Sequence, residues 1–318
     1  MKMKYLVLLV SVSVAAMVAC GGGGGASSNP PANYPTLTSS AYANAAAGEF
    51  VTLAPYAILP SDATCAALVR AVSKAEIRPS NAAYNAAVGK ALPNFFKGYA
   101  LDPKIAHSNQ VTAAHISGNF TGTTEDILRW GACKWGLDEN LVKAMATNES
   151  QWQQAHRFNA TNLPAAQAAA AAVGNTLTYH PSTNCAINTM PGSSVPPTTL
   201  PAGTVASCSR DWGILQVNYE QYPSAWPEAE ASTAMNVDVV LAIVRACYDG
   251  DETWIATKPL PAGATPYAAG NLAYCVGRYN SGLWYDANAQ IYVSRIDQEL
   301  VNKTWLQTAF KNLSWAYP

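Results

Sequence analysis

The sequence predicts a mainly α-helical fold, a small helical region followed by a larger one. Three observations predict it. Apolar residues recur at helical spacing in several segments, capping residues sit at the segment ends, and Met235 to Cys247 is apolar nearly all round, as a central core helix must be. In the first region, Cys65 to about Glu76 and Asn81 to about Leu92 read as helices, separated by Arg78-Pro79-Ser80, since proline cannot continue a helix interior. Residues 34 to about 60 hold several prolines and no clear period, which marks a loop or an embracing extension. Thr123-Thr124-Glu125-Asp126 then starts a helix running to about Lys134, with a capping threonine and acids at the positive end of the dipole. Gly136-Leu137-Asp138 ends that helix and caps the next, Glu139 to about Ser150. On its wheel Leu141, Val142, Ala144 and Met145 share one face, with Lys143 and Thr147 opposite. Asn271 to Asn280 is a further helix that Gly282 is placed to cap, and Ala289, Tyr292, Val293, Ile296 and Leu300 make the stripe of a last one.

Composition narrows the class. The 318 residues exceed a disulfide-only miniprotein and suffice for one large domain or two modest ones. Charged residues are 12% of the chain, against roughly 25% in an average soluble domain, so the polar surface must rest on Asn, Gln, Ser and Thr, as in exported proteins. A net charge of −1 without a basic block offers no footprint for nucleic acid.

Lys2 and Lys4, then an apolar run from Tyr5 to Val18, form an export signal over residues 1–19, too short for a membrane span. Met17-Val18-Ala19-Cys20 resembles the lipobox of bacterial lipoproteins, with Met17 in place of the usual Leu, and implies lipidation of Cys20. Residues 20–33, rich in Gly, Ala, Ser and Pro, make a flexible tether; the lipobox resemblance implies a cell-envelope protein, and Gly21 in place of Asp after the cysteine resembles outer-membrane sorting, which implies an anchor there facing the periplasm. Secretion is the alternative address, and contact with a membrane is through the lipid only. Six of the seven cysteines remain: Cys65, Cys133, Cys185, Cys208, Cys247 and Cys275. An even number in an oxidising compartment predicts three disulfides, one of them expected between Cys185 and Cys208. Their scatter and the absence of histidine ligand spacing argue against zinc, and nothing implies another metal or a cofactor.

One carboxylate stands out. Glu149 falls between Met145 and Val142 on its helix, near the C-terminus, where burial and the negative end of the dipole both disfavour its anion. Those conditions suit a general acid, although a lone Glu at a fraying helix end also simply turns to water. Residues 155–206, with an alanine run from Ala165 to Ala172 and a stretch dense in Pro, Thr, Ser and Gly, read as a long disulfide-stapled insertion. Asp211-Trp212-Gly213-Ile214-Leu215-Gln216-Val217 follows and places Gln216 between apolar residues.

Glu149-Ser150 at a helix end, Gly213-Ile214-Leu215-Gln216-Val217, and Tyr279-Asn280-Ser281-Gly282 resemble, in this order, the three signature blocks of lytic transglycosylases and goose-type lysozymes. The resemblance covers about Thr123 to Leu300. It implies a lysozyme-like helical catalytic domain over residues 116–318, preceded by a helical extension over 34–115. It also implies cleavage of peptidoglycan between N-acetylmuramic acid and N-acetylglucosamine, with Glu149 as general acid and base and 1,6-anhydro ends as product. Gln216 and Tyr279 would line the cleft, and Ser150 and Asn280 would steady the backbone. Trp152, Trp212 and Trp284 flank the blocks, as platforms for sugar rings or as core packing. Two departures stand out: about 60 residues separate Glu149 from Gly213, more than the family usually has, and Leu215 replaces a common Met. A hydrolytic lysozyme would need a second acid, for which Asp211 is the candidate, because Asn218 stands where goose-type lysozymes carry an aspartate. A lipid-anchored glycan binder without catalysis and an envelope scaffold are readings of a different class.

Overall fold

The computed structural model describes residues 49–96, 108–155, 211–218 and 221–313, together with Pro35, Leu37 and the backbone of five short strands between 157 and 208. The expected export signal, Cys20, the tether and the alanine run lie outside the described residues. What is described is mainly helical: α1 (Asp62–Arg70), α2 (Thr124–Trp135), α3 (Glu139–Ser150), α4 (Thr233–Tyr248), α5 (Leu272–Ser281) and α6 (Ala287–Asn302), with shorter turns between them. Among the described residues no helix is long and apolar enough to cross a membrane.

Every residue of α4 is buried, and α2 and α5 pack against it, while α3 lies against α2 and α6. The expected caps form. Thr123 accepts a hydrogen bond from Asp126 N at 3.2 Å, Gly136 ends α2 at φ +54°, and Asp138 accepts from the amides of Asn140 and Leu141 at 2.8 and 3.0 Å. Gly282 closes α5 at φ +75°.

The N-terminal helices differ from expectation. α1 starts at Asp62, because Ser61 Oγ caps Thr64 N at 3.2 Å, and it stops at Arg70 rather than near Glu76. The helix expected over Asn81–Leu92 shrinks to a 3-10 turn at Pro79–Asn81 and a short helix at Ala82–Ala86. Long-range contacts explain the loss: Asn85 Nδ2 donates to Glu76 Oε2 at 2.9 Å, and Gly89 lies so close to α4 that a Cβ there would stand 2.5 Å from Met235 Sδ.

Residues 49–61 do embrace the helices. Leu53 N donates to Gly136 O at 3.0 Å, Asp138 N to Thr52 Oγ1 at 3.0 Å, and Glu139 N to Phe50 O at 3.0 Å, so the strap takes up orphan groups at the α2–α3 joint. Lys143 and Thr147, opposite the apolar face of α3, are not left to solvent. Both are buried, with Lys143 Nζ 2.7 Å from carboxylates of Glu125 and Glu139 and Thr147 Oγ1 donating to Lys143 O at 2.8 Å. Leu37, Val69, Phe95 and Ile116 join the same apolar core as α2 to α4, so the boundary near residue 115 divides no core.

A buried ion pair ties the two regions. Lys134 Nζ lies 2.7 Å from Asp238 Oδ2 and 2.8 Å from Asp62 Oδ1, and Asp238 also accepts from Trp135 Nε1 at 2.7 Å and from the amides of Ser117 and Gly118 at 2.8 and 2.7 Å. Disulfides Cys65–Cys133 and Cys247–Cys275 brace α1 to α2 and α4 to α5.

The strands of the insertion are β1 (Arg157–Phe158), β2 (Thr161–Asn162), β3 (Leu177–His180), β4 (Cys185–Asn188) and β5 (Ser207–Cys208), followed by β6 (Asp211–Trp212) and β7 (Val217–Asn218). They form a three-stranded antiparallel sheet in the order β1-β6-β7 and the two pairs β2-β5 and β3-β4. β4 and β5 are neighbours, but the side chains of Cys185 and Cys208, and with them the expected third bridge, lie outside the described residues.

Removing one member of a buried ion pair leaves an uncompensated charge, so Lys134→Met should cost about 3–5 kcal/mol in urea denaturation. A loss below about 1 kcal/mol would show that the Asp238 network is not a stability element.

Candidate active site

The last turn of α3 carries Glu149 and Ser150, and the chain beyond it is fixed by two consecutive non-glycine residues at positive φ, Gln151 (+54°) and Trp152 (+66°). Such backbone costs of order 1 kcal/mol or more per residue and persists only where its surroundings hold it. Here they do. Trp152 N donates to Ala146 O at 3.2 Å, Trp152 Nε1 to Lys143 O at 3.1 Å, and Asn81 Nδ2 to Trp152 O at 2.7 Å. Glu149 therefore sits at a helix end that cannot fray.

The second block is the tight turn between β6 and β7. Gly213 has φ +93°, and a Cβ on it would fall 2.1 Å from Asn236 Nδ2 of α4, so only glycine fits. Asn236 uses that closeness. Its Nδ2 donates to Trp212 O at 2.8 Å and Ala229 O at 2.9 Å, and its Oδ1 accepts from Leu215 N at 2.9 Å. Gln154 Oε1 accepts from Ile214 N at 3.0 Å, while its Nε2 donates to the carbonyls of Ala229 and Glu230 at 3.0 and 3.1 Å. Ser150 Oγ donates to Ile214 O at 2.8 Å, which bolts the turn to the helix of Glu149. Tyr279, on α5, donates its hydroxyl to Leu215 O and reaches Gln216 O at 3.3 Å. All three sequence blocks thus meet at one place.

Glu149 stands among them. The residue is half-buried, yet its Oε1 is sealed from solvent and has no hydrogen-bond partner among the described residues. The carboxyl is pushed up to about 7, chiefly by burial; the neighbouring Tyr292 hydroxyl works against the rise, and the negative charge of Asp211 adds to it. Tyr292 is 2% exposed, and its hydroxyl likewise ends without a hydrogen-bond partner among the described residues: it lies beside the carboxyl without closing a standard bond to it. Burial and the Glu149 carboxylate raise both Tyr279 and Tyr292 well above the ordinary tyrosine value, so both remain protonated donors. A carboxyl that holds its proton about half the time at neutral pH, sealed at Oε1 and with the Tyr292 hydroxyl beside it, can give a proton to a bound oxygen and take one back.

The other expected residues divide. Gln216 is buried at φ +55°, and its Nε2 donates to Gly213 O at 2.7 Å, so this amide nitrogen braces its own turn. Asp211 is half-buried on β6 and accepts from Asn218 Nδ2 at 2.6 Å. Asn280 is exposed, and the turn after α5 is held instead by Ser281, whose Oγ donates to Leu283 O at 3.0 Å. The tryptophans are core residues: Trp152 is fully buried edge-on to Phe310, Trp212 is 2% exposed, and Trp284 is 3% exposed between Tyr267 and Tyr274. With their faces covered, none of the three is a platform for a sugar. Sequence reasoning missed Tyr292, which looked like one more member of an apolar stripe, and the bracing amides of Asn81, Gln154 and Asn236. Only Asn236 carried a signal, as one of the few polar residues, with Asp238 and Arg245, in a helix that is apolar nearly all round.

Among the described residues no group of His, Cys, Asp and Glu is placed to hold a metal ion. No protein-family model, curated protein or solved structure matches the chain.

The carboxyl's position has consequences for titration and stability. Followed by NMR, the Glu149 midpoint should lie near pH 7, move down in Asp211→Asn and move up in Tyr292→Phe. The folded value lies above the unfolded one, so the native state loses stability as pH rises from the ordinary carboxylate range through about 7. A neutral Glu149→Gln variant escapes this loss, and its stability relative to the parent should rise between acid and mildly alkaline pH by up to about 3 kcal/mol. A difference that stays constant with pH would mean that Glu149 ionises as an ordinary surface carboxylate.

Proposed function

We propose that this protein is a peptidoglycan-cleaving lytic transglycosylase with a lysozyme-like catalytic domain, in which Glu149 acts as general acid and then as base. The observation that carries the proposal is the Glu149 carboxyl itself, with Oε1 sealed and its affinity for a proton raised to about 7 where the three sequence blocks converge. Glu149 delivers its proton to the oxygen linking N-acetylmuramic acid to N-acetylglucosamine as the bond opens through an oxocarbenium-like state. The resulting carboxylate takes the proton of the sugar's 6-hydroxyl, and a 1,6-anhydro end forms. Tyr292 lies beside the carboxyl with its hydroxyl proton uncommitted among the described residues, Tyr279 gives its own to Leu215 O and so fixes the turn, and the Gly213–Gln216 turn forms one wall of the cleft. No cofactor is required. Lipidation of Cys20 and a tether over residues 20–33 would hold the enzyme at the envelope, within reach of glycan strands. Asp211 favours a second reading, a hydrolytic lysozyme, because its charge bears on Glu149.

The test is mass spectrometry of purified peptidoglycan digested by the full chain and by Glu149→Gln. Muropeptides lighter by one water than hydrolysis products should appear with the parent and be absent with the variant. Removing a general acid should lower the rate by roughly 100-fold or more. Cleavage by the parent should fall as pH rises through about 7, the range in which Glu149 loses its proton. Equal product from parent and variant would remove Glu149 from the mechanism, and glycan retention without product from either would mark a binding protein.

A further inference from the structure

We infer that Arg78 is a positioning residue for Glu149, and that through it the N-terminal extension and the C-terminal turn of the chain together hold the catalytic acid in place; the inference rests on the glycan cleavage by Glu149 proposed above. Arg78 is 1% exposed, and its guanidinium reaches three separate stretches of backbone. Nε donates to Gln151 O at 2.9 Å, Nη2 to Phe310 O at 2.8 Å and Nη1 to Ile77 O at 2.9 Å. Its Cζ stands 4.2 Å from the centre of the Phe310 ring, and that ring meets Trp152 edge-on.

Gln151 and Trp152 are the two residues whose positive φ turns the chain away from Glu149 and Ser150. Two consecutive left-handed residues without glycine are strained, and a chain left to itself would relax by unwinding the last turn of α3. Arg78 opposes this at both residues. It holds the carbonyl of Gln151 directly, and it pins Phe310, in the short helix Thr308–Lys311, against the Trp152 ring. The residues after Arg78 extend the grip: Ser80 Oγ donates to Gln153 Oε1 at 2.8 Å, and Asn81 donates to Trp152 O at 2.7 Å and accepts from Gln154 N at 2.9 Å. Residues 78 to 81 thus lie along 151 to 154 as a splint. A lysine ammonium, one compact centre on a flexible stem, lacks the planar fork that serves Gln151 O and Phe310 O at once.

Glu149 stands two residues before Gln151, in the turn that this splint protects. Once the kink relaxes, the last turn of α3 loosens, water reaches Oε1, and the carboxyl leaves the place where it must meet the glycosidic oxygen. A displacement of about 1 Å at a reacting group can cost roughly 100-fold in rate.

The experiment compares the full chain with Arg78→Met and Arg78→Lys, and with Lys134→Met as a reference for lost stability alone, since Lys134 pairs with Asp62 and Asp238. In Arg78→Met, kcat for muropeptide release from purified peptidoglycan should fall by roughly 10- to 100-fold with KM unchanged. The Glu149 midpoint, followed by NMR, should drop from about 7 towards the ordinary carboxylate range, because Tyr279, Tyr292 and Asp211 stay in place and only burial is lost. Arg78→Lys should behave alike, whereas Lys134→Met should leave the midpoint where it is. A folded Arg78→Met with the parent's kcat and midpoint overturns the inference, as does a Lys134→Met that moves the midpoint equally far. Should Arg78→Met fail to fold, Phe310→Leu, which keeps the guanidinium and removes the ring beneath it, decides by the same two readouts. Absence of any product from the parent overturns glycan cleavage itself, while the midpoint still reports whether Arg78 places the carboxyl.

Discussion

The shape of the site depends on how closely the turn after β6 approaches α4. Gly213 leaves no space for a Cβ against Asn236, and that closeness lets one buried amide answer Trp212 O, Ala229 O and Leu215 N together. A buried polar side chain in an apolar helix is a liability unless all its hydrogen-bonding groups are used. Asn236 uses them on the backbone of the turn, so α4 works as the template on which residues 213–216 are moulded. Ser150 and Tyr279 reach the same turn from α3 and α5, and the position of Glu149 is thereby set by hydrogen bonds from three helices.

The second constraint is charge kept out of water. Lys134 and Asp238 are both fully buried; Asp238 accepts from amides and the Trp135 indole, while Lys134 also reaches Asp62, which locks the N-terminal extension onto the helices that carry the site. Burying such a pair contributes little net free energy, but breaking it is costly, so it favours one packing over its near alternatives. The strap over residues 49–61 then covers the α2–α3 joint, and α3 is buried nearly all round although its sequence looks two-faced.

Much of the helical core was legible in the sequence, because α2 to α6 carry their own start and stop signals: Thr123, Gly136, Asp138 and Gly282 act where their chemistry places them. The extension was not. Asn81 and Asn85 look like ordinary helix residues, and what takes them out of a long helix is contact with Thr124, Glu76 and Trp152, which no local pattern records. At the site, Glu149 was legible because a carboxylate on an apolar stripe is a conflict that a purely structural helix would avoid. Tyr292 was hidden by the same logic, since a tyrosine fits an apolar stripe without conflict. The tryptophans stood open between sugar platform and core packing, because residue type carries no depth, and their burial decides for packing.

The two described bridges, Cys65–Cys133 and Cys247–Cys275, each join a cysteine to the very next one in the sequence. A chain threaded into an oxidising compartment from its N-terminus therefore presents each of these thiols with its native partner as the next to arrive. On the proposed export of the chain, with Cys20 taken up by lipid, an oxidant that joins thiols in order of emergence would make both links at the first attempt. On that proposal neither would need a shuffling isomerase, and maturation of this part of the molecule could keep pace with its delivery.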